Sequence, residues 1–158
     1  MYYGSFVCLH FARFLHDPIV TEEQRSAYEK IITFLDSVPS PQFPDNLGAF
    51  WDESVKALSA ESINQIIDST RYSIENPDLF LSEKKDEIER YMAFKQSDEY
   101  KNSPMAMIQA ILENFNSTSG YYDVFIPAMK RLSKPYAEYS EQIEIANAKL
   151  LQRFAILS

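Results

Sequence analysis

The stretch TEEQRSAYEKIITFLDSV, Thr21 to Val38, carries both the start signal and the body of an amphipathic helix. Thr21 and Gln24 are spaced as a capping box, in which the threonine hydroxyl accepts the Gln24 backbone N–H and the Gln24 side chain reaches back to the N–H of Thr21. Behind them Ala27, Tyr28, Ile31, Ile32, Leu35 and Val38 recur at steps of three and four, which gathers them on one side of a helix. Similar start signals and spacings recur on both sides of this stretch. The class they imply is all-α.

Upstream, MYYGSFVCLHFARFLH reads as a first helix capped by Ser5 and ending near His16, because Asp17 precedes Pro18 and is pushed out of helical geometry. It is apolar on most sides, as expected of a central buried helix, with a short strand as the competing reading. Downstream, Pro39, Pro41 and Pro44 form a stiff loop, and Leu47, Phe50, Trp51, Val55 and Leu58 make a third apolar stripe. Ser59 or Ser62 starts a fourth helix through Ile63, Ile66, Ile67 and Ile74, stopped at Asn76-Pro77. Ser82 is expected to cap a charged surface helix with a narrow seam at Ile88, Tyr91 and Met92.

Ser103-Pro104 is a cap followed by proline at the first helical position, opening a helix through Met107, Ile108, Ile111, Leu112 and Phe115 until the loop NSTSG. YYDVFIPAMKRL is two-sided: its first half suits a strand, and Pro127 either kinks a helix or begins a new one. From Lys134-Pro135 a long last helix places Tyr136, Tyr139, Ile143, Ala146, Leu150, Phe154 and Leu157 along a seam suited to a bundle or to a second copy of the chain. The expectation is a compact single-domain bundle of seven or eight helices over residues 1–158. The alternative is an α+β fold with short strands near the N-terminus and at residues 121–127.

Composition supports a packed globule, since 46% of the 158 residues are hydrophobic and only three are glycine. With 15 basic and 23 acidic residues the net charge is −8, which opposes binding to nucleic-acid phosphates or anionic lipid and favours a basic protein partner. Cys8 is the only cysteine, so no intrachain disulfide or four-cysteine zinc site can form. That cysteine usage, an apolar start without a basic leader, and its interruption by His10, Arg13 and His16 point to the cytoplasm and away from a membrane span.

No catalytic pattern emerges. His10 and His16 are six apart and diverge on a helix, Cys8 and His10 diverge at a spacing of two, and Cys8 reads as a buried inert thiol. Glu138, Glu141 and Glu144 lack the accompanying Glu-x-x-His pairs of a di-metal bundle and read as a solvated face. Glycine-rich phosphate loops, nucleophile elbows and His-Glu-x-x-His helices are absent from the sequence. The chain therefore reads as a binding protein without cofactor or metal, with an enzyme whose residues meet only in space as a lesser alternative.

The charge is uneven. Residues 36–68 carry Asp36, Asp45, Asp52, Glu53, Glu61 and Asp68 against Lys56 alone. Within that segment DNLGAFWD, Asp45 to Asp52, resembles the Asn-Leu-x-Ala-aromatic-or-Leu-Trp-Asp signature of the barstar-type ribonuclease inhibitors, in which a helix and a loop also precede the motif. The resemblance implies an acidic loop and helix that plug the active site of a basic ribonuclease, with the aspartate after the tryptophan, here Asp52, as a dominant contact. Gly48 stands where that family has a contacting aspartate, and Phe43 where it has a loop tyrosine. The following sequence reads as helix where that family has a strand, so the fold does not carry over.

The expected partner surface is thus Phe43, Asp45, Asp52 and Glu53, with Trp51 as a structural anchor beneath it, since Trp51 shares the stripe of Leu47, Val55 and Leu58. The function expected is a cytoplasmic immunity or inhibitor protein against a toxin, in its sharpest form a basic nuclease. The runner-up is a helical adaptor that dimerises through its last helix.

Overall fold

The computed structural model describes residues 2–154, with side chains from Val7 onward. Among the described residues the chain is all-α, with no strand. Ten α-helices follow in order: α1 Tyr2–Phe11, α2 Glu22–Ser37, α3 Asp45–Lys56, α4 Ala60–Glu75, α5 Pro77–Glu83, α6 Lys85–Gln96, α7 Asp98–Lys101, α8 Pro104–Thr118, α9 Ile126–Leu132 and α10 Lys134–Arg153. A 3₁₀ turn at Ala12–Phe14 and a π turn at Tyr121–Phe125 complete the set.

Several starts follow from the expected chemistry. The Gln24 N–H donates to Thr21 Oγ1 at 3.1 Å, and the backbone N–H groups of Val20 and Thr21 donate to Gln24 Oε1 at 2.9 and 3.1 Å. Ser59, Ser103 and Ser133 likewise accept the N–H three residues on, at 3.0, 3.2 and 3.3 Å, and so satisfy donors that the first turn leaves unpaired.

Other expectations are corrected. Ser5 lies inside α1, which begins at Tyr2. Ser82 caps nothing: its hydroxyl donates to the Asp78 carbonyl within α5, and α6 begins only at Lys85. The count exceeds seven or eight because Pro77 opens a helix of its own instead of merely ending α4, and because Ser97 caps the single turn of α7. The strand alternative fails at both places, since residues 2–11 are α-helical and residues 121–125 form a π turn. Leu157 lies outside the described residues.

The chain divides into two compact units, Met1–Trp51 with Ile108–Ser140, and Asp52–Met107 with Glu141–Ser158. The first is organised around aromatic packing. Ala27, Ile31 and Phe34 of α2 turn inward to meet Phe125, Ala128 and Met129, while Val7 and Phe11 of α1 and Tyr136 of α10 complete the cluster. The Gln24 side-chain amide also donates to the Leu132 carbonyl at 3.4 Å, so the residue that caps α2 reaches the end of α9 as well. Cys8, expected to be buried, is exposed, because the inward edge of α1 runs through Val7 and Phe11 and the next position points about 100° away.

The second unit buries less. Leu81 of α5 and Phe154 are buried, α4 and α6 have no fully buried residue, and Tyr91, expected on the seam of α6, is 60% exposed. An ion pair between Lys149 and Asp78 and a hydrogen bond from Arg153 to Ser82 tie α10 to α5. The seam expected along the last helix is thus used within the chain: Tyr136 enters the first core, and Ile143, Ala146 and Leu150 face α4 and α5 in the second unit.

Gly120, which precedes the π turn, has φ +91°, and a Cβ placed there would meet Val124 and Phe34 only at ordinary distances of 3.6 and 3.7 Å. The strain of a side chain there is therefore one of backbone alone. Gly120→Ala should lower stability by about 1–2 kcal/mol without altering the fold, as read by urea denaturation followed by circular dichroism.

Candidate functional site

Helix α3 begins where Pro44 ends the stiff loop: the Pro44 carbonyl accepts the N–H groups of Leu47 and Gly48 at 2.9 and 3.0 Å. Asp45, in the first turn, sits favourably beside the unpaired N–H groups and partial positive charge of the helix start. The helix then separates into two faces. Leu47 and Gly48 are buried and Phe50, Trp51, Ser54 and Val55 half-buried, whereas Asp45, Asn46, Ala49, Asp52, Glu53 and Lys56 are exposed.

Trp51 is held from the side. Its ring stacks on Phe43 of the preceding loop, with centroids 6.4 Å apart and planes 14° from parallel. Phe43 is itself half-buried, so it stands with Trp51 as part of the anchor and away from the carboxylates. Asp45 and Asp52 are seven apart, almost two full turns, and therefore share a face, with Glu53 one step around from Asp52. None of Asp45, Asp52 and Glu53 makes an ion pair or side-chain hydrogen bond, although Lys56 lies within helical reach of Asp52 and Glu53. The structure thus presents three uncommitted carboxylates on a helix whose opposite face is fixed, an arrangement suited to meeting cationic groups on another molecule.

The other expected constellations behave differently. Among the described residues no group of three or more histidine, cysteine, aspartate or glutamate side chains could hold a metal ion. Glu138 pairs with Lys134 at 3.7 Å, and Glu141 is exposed. His10 and His16 are both exposed, on α1 and in the loop after the 3₁₀ turn. No described helix is long and apolar enough to cross a membrane.

One feature escaped the sequence. In the second unit α4, α5 and α10 enclose a half-open cavity of about 240 Å³. Ile74 and the α10 seam were visible as apolar positions, but Phe80 and Leu81 belong to a seven-residue helix too short to show a period. The Phe80 ring is braced edge-on by Tyr72 at 6.2 Å, and the Tyr72 hydroxyl donates to Glu83 at 2.7 Å, a bond that raises the phenol's pKa above its ordinary value.

No protein-family model, no curated protein and no solved structure matches this chain.

The two faces of α3 should separate cleanly in stability measurements. Trp51→Ala should cost about 2 kcal/mol, because it removes a large half-buried ring and its stacking partner's contact. Asp52→Ala should change stability by no more than about 0.5 kcal/mol, as expected of an exposed unpaired side chain. Urea denaturation monitored by circular dichroism reads both variants on the same scale.

Proposed function

We propose that the chain is a cytoplasmic immunity or inhibitor protein that binds a basic protein through the acidic face of α3, and in its sharpest form that it blocks the active site of a nuclease toxin. The observation that carries the reading is the uncommitted state of Asp45, Asp52 and Glu53 on a helix anchored by Trp51 and Phe43. A fixed helix loses little freedom on binding, so its charges are already placed when a partner arrives. The net charge of −8 adds long-range attraction for a cationic surface, which speeds encounter and disfavours polyanionic competitors. The local resemblance of Asp45 to Asp52 to the barstar-type motif supports the same use of an aspartate directly after a tryptophan.

Affinity capture from the native host with mass spectrometry identifies the partner, and association kinetics with that partner test the surface. Asp52→Ala should weaken binding by at least about 2 kcal/mol, because truncation leaves desolvated basic groups of the partner unpaired, whereas Glu141→Ala should cost less than about 1 kcal/mol. Added salt should slow association of the wild type more than that of a variant lacking Asp45, Asp52 and Glu53, since screening removes steering. Equal affinity of the wild type and Asp52→Ala would refute the site, and a captured partner without nuclease activity would refute the sharper reading.

A further inference from the structure

The cavity in the second unit has the chemistry of a ligand site. Protein interiors are packed to the density of organic crystals, and voids much larger than a water molecule are few in any domain. An opening of about 240 Å³ is far above that scale, and an apolar cavity of about 150 Å³ already takes up benzene. Its walls are mostly hydrocarbon: Ile74 from α4, Phe80 and Leu81 from α5, Ala146 and Leu150 from α10.

Three uncharged polar residues, Thr70, Ser73 and Asn147, also line it. The Ser73 hydroxyl donates to the Thr70 carbonyl at 2.7 Å, which leaves its oxygen lone pairs as acceptors. The side chains of Thr70 and Asn147 make no hydrogen bond to any described residue. Asn147 thus offers both a donor and an acceptor, and it sits on α10 one position beyond Ala146. No lining residue is charged. Lys149 and Asp78, the nearest charges along α10 and α5, are paired with one another. An ionised head group entering this space would lose its hydration without gaining a counter-ion, whereas a neutral amide would find donors and acceptors in place.

The geometry points to a binding site for a small uncharged molecule with an apolar body and a single amide-type head, the body held among α4, α5 and α10 and the head read by Asn147, Thr70 and Ser73. Such pockets, largely apolar with a few convergent polar groups, are the usual form of small-molecule sites. This site is independent of the acidic face of α3, and its failure would leave that reading untouched.

The test is a titration of the full chain with hexanamide, hexanoate and benzene, followed by ¹H–¹⁵N correlation spectra. Hexanamide should produce saturable shifts confined to α4, α5 and α10, with a dissociation constant on the order of millimolar, as befits so small a ligand. Hexanoate should bind at least about tenfold more weakly, because its carboxylate is desolvated unpaired. Ala146→Phe fills the cavity and should abolish the response to all three probes. Asn147→Leu, at an exposed position that leaves the fold intact, should weaken hexanamide about fivefold or more while leaving benzene unaffected. Equal binding of hexanamide and hexanoate, or hexanamide binding indifferent to Asn147, would overturn the assignment of the head group. Absence of saturable shifts with every probe, the result for a packing defect or a socket reserved for a partner's side chain, would overturn the site itself.

Discussion

The Phe125 ring meets Phe11 edge-on with centroids 4.9 Å apart, lies 5.3 Å from Phe34 and stacks on Tyr121 at 5.6 Å. Those partners come from α1, α2 and the π turn, so a side chain only 1% exposed joins segments far apart in the sequence. Each aromatic pair contributes about 0.5–1.5 kcal/mol beyond the area it buries, and here three converge on one residue. Their geometry also sets the direction of α9. With Phe125 inward, Ala128 and Met129 follow three and four residues later on the same side and become fully buried. Every other inward side chain of the first unit is packed within the frame these rings establish.

The parts of this arrangement that were legible in sequence are those governed by local chemistry. Thr21 and Gln24 close a capping box because both partners are three residues apart, and Ala27, Ile31 and Phe34 face inward because helical spacing alone puts them on one edge. Tyr121 to Phe125 was illegible for the opposite reason. Tyrosine, valine and phenylalanine suit a strand as well as a helix, and only Gly120 in the left-handed region and the packing of Phe125 decide between them. The hydroxyl of Ser82 likewise looked like a cap, but Asp78 within α5 claims it first. Cys8 read as buried because its whole segment is apolar, and hydropathy does not say which side of such a helix faces in.

The candidate surface was more legible than the cavity, and the difference is physical. Asp45, Asp52 and Glu53 belong to one helix, so their common exposure follows from its period and from the apolar residues opposite. The cavity draws Thr70, Phe80 and Asn147 from three helices, and no spacing in the sequence relates them. Phe43 shows an intermediate case. Its residue type suggested a contact, and its stacking on Trp51 shows that a loop aromatic next to a tryptophan can be spent on holding the helix in place.

In the π turn the Ile126 N–H reaches back five residues to the Tyr121 carbonyl, and the Val124 and Phe125 N–H groups share the Gly120 carbonyl at 2.8 and 3.3 Å. A turn of this kind holds one residue more than the α-helical turn it replaces. Shortening the segment by one residue would restore regular α-helix, yet everything after it would rotate by about 100° relative to what precedes it. Met129 would then fall where Ala128 now sits with 0% exposure, and Lys130 would be driven into the fully buried place of Met129. The lineage of this chain can therefore exchange letters between Gly120 and Pro127 far more freely than it can change their number.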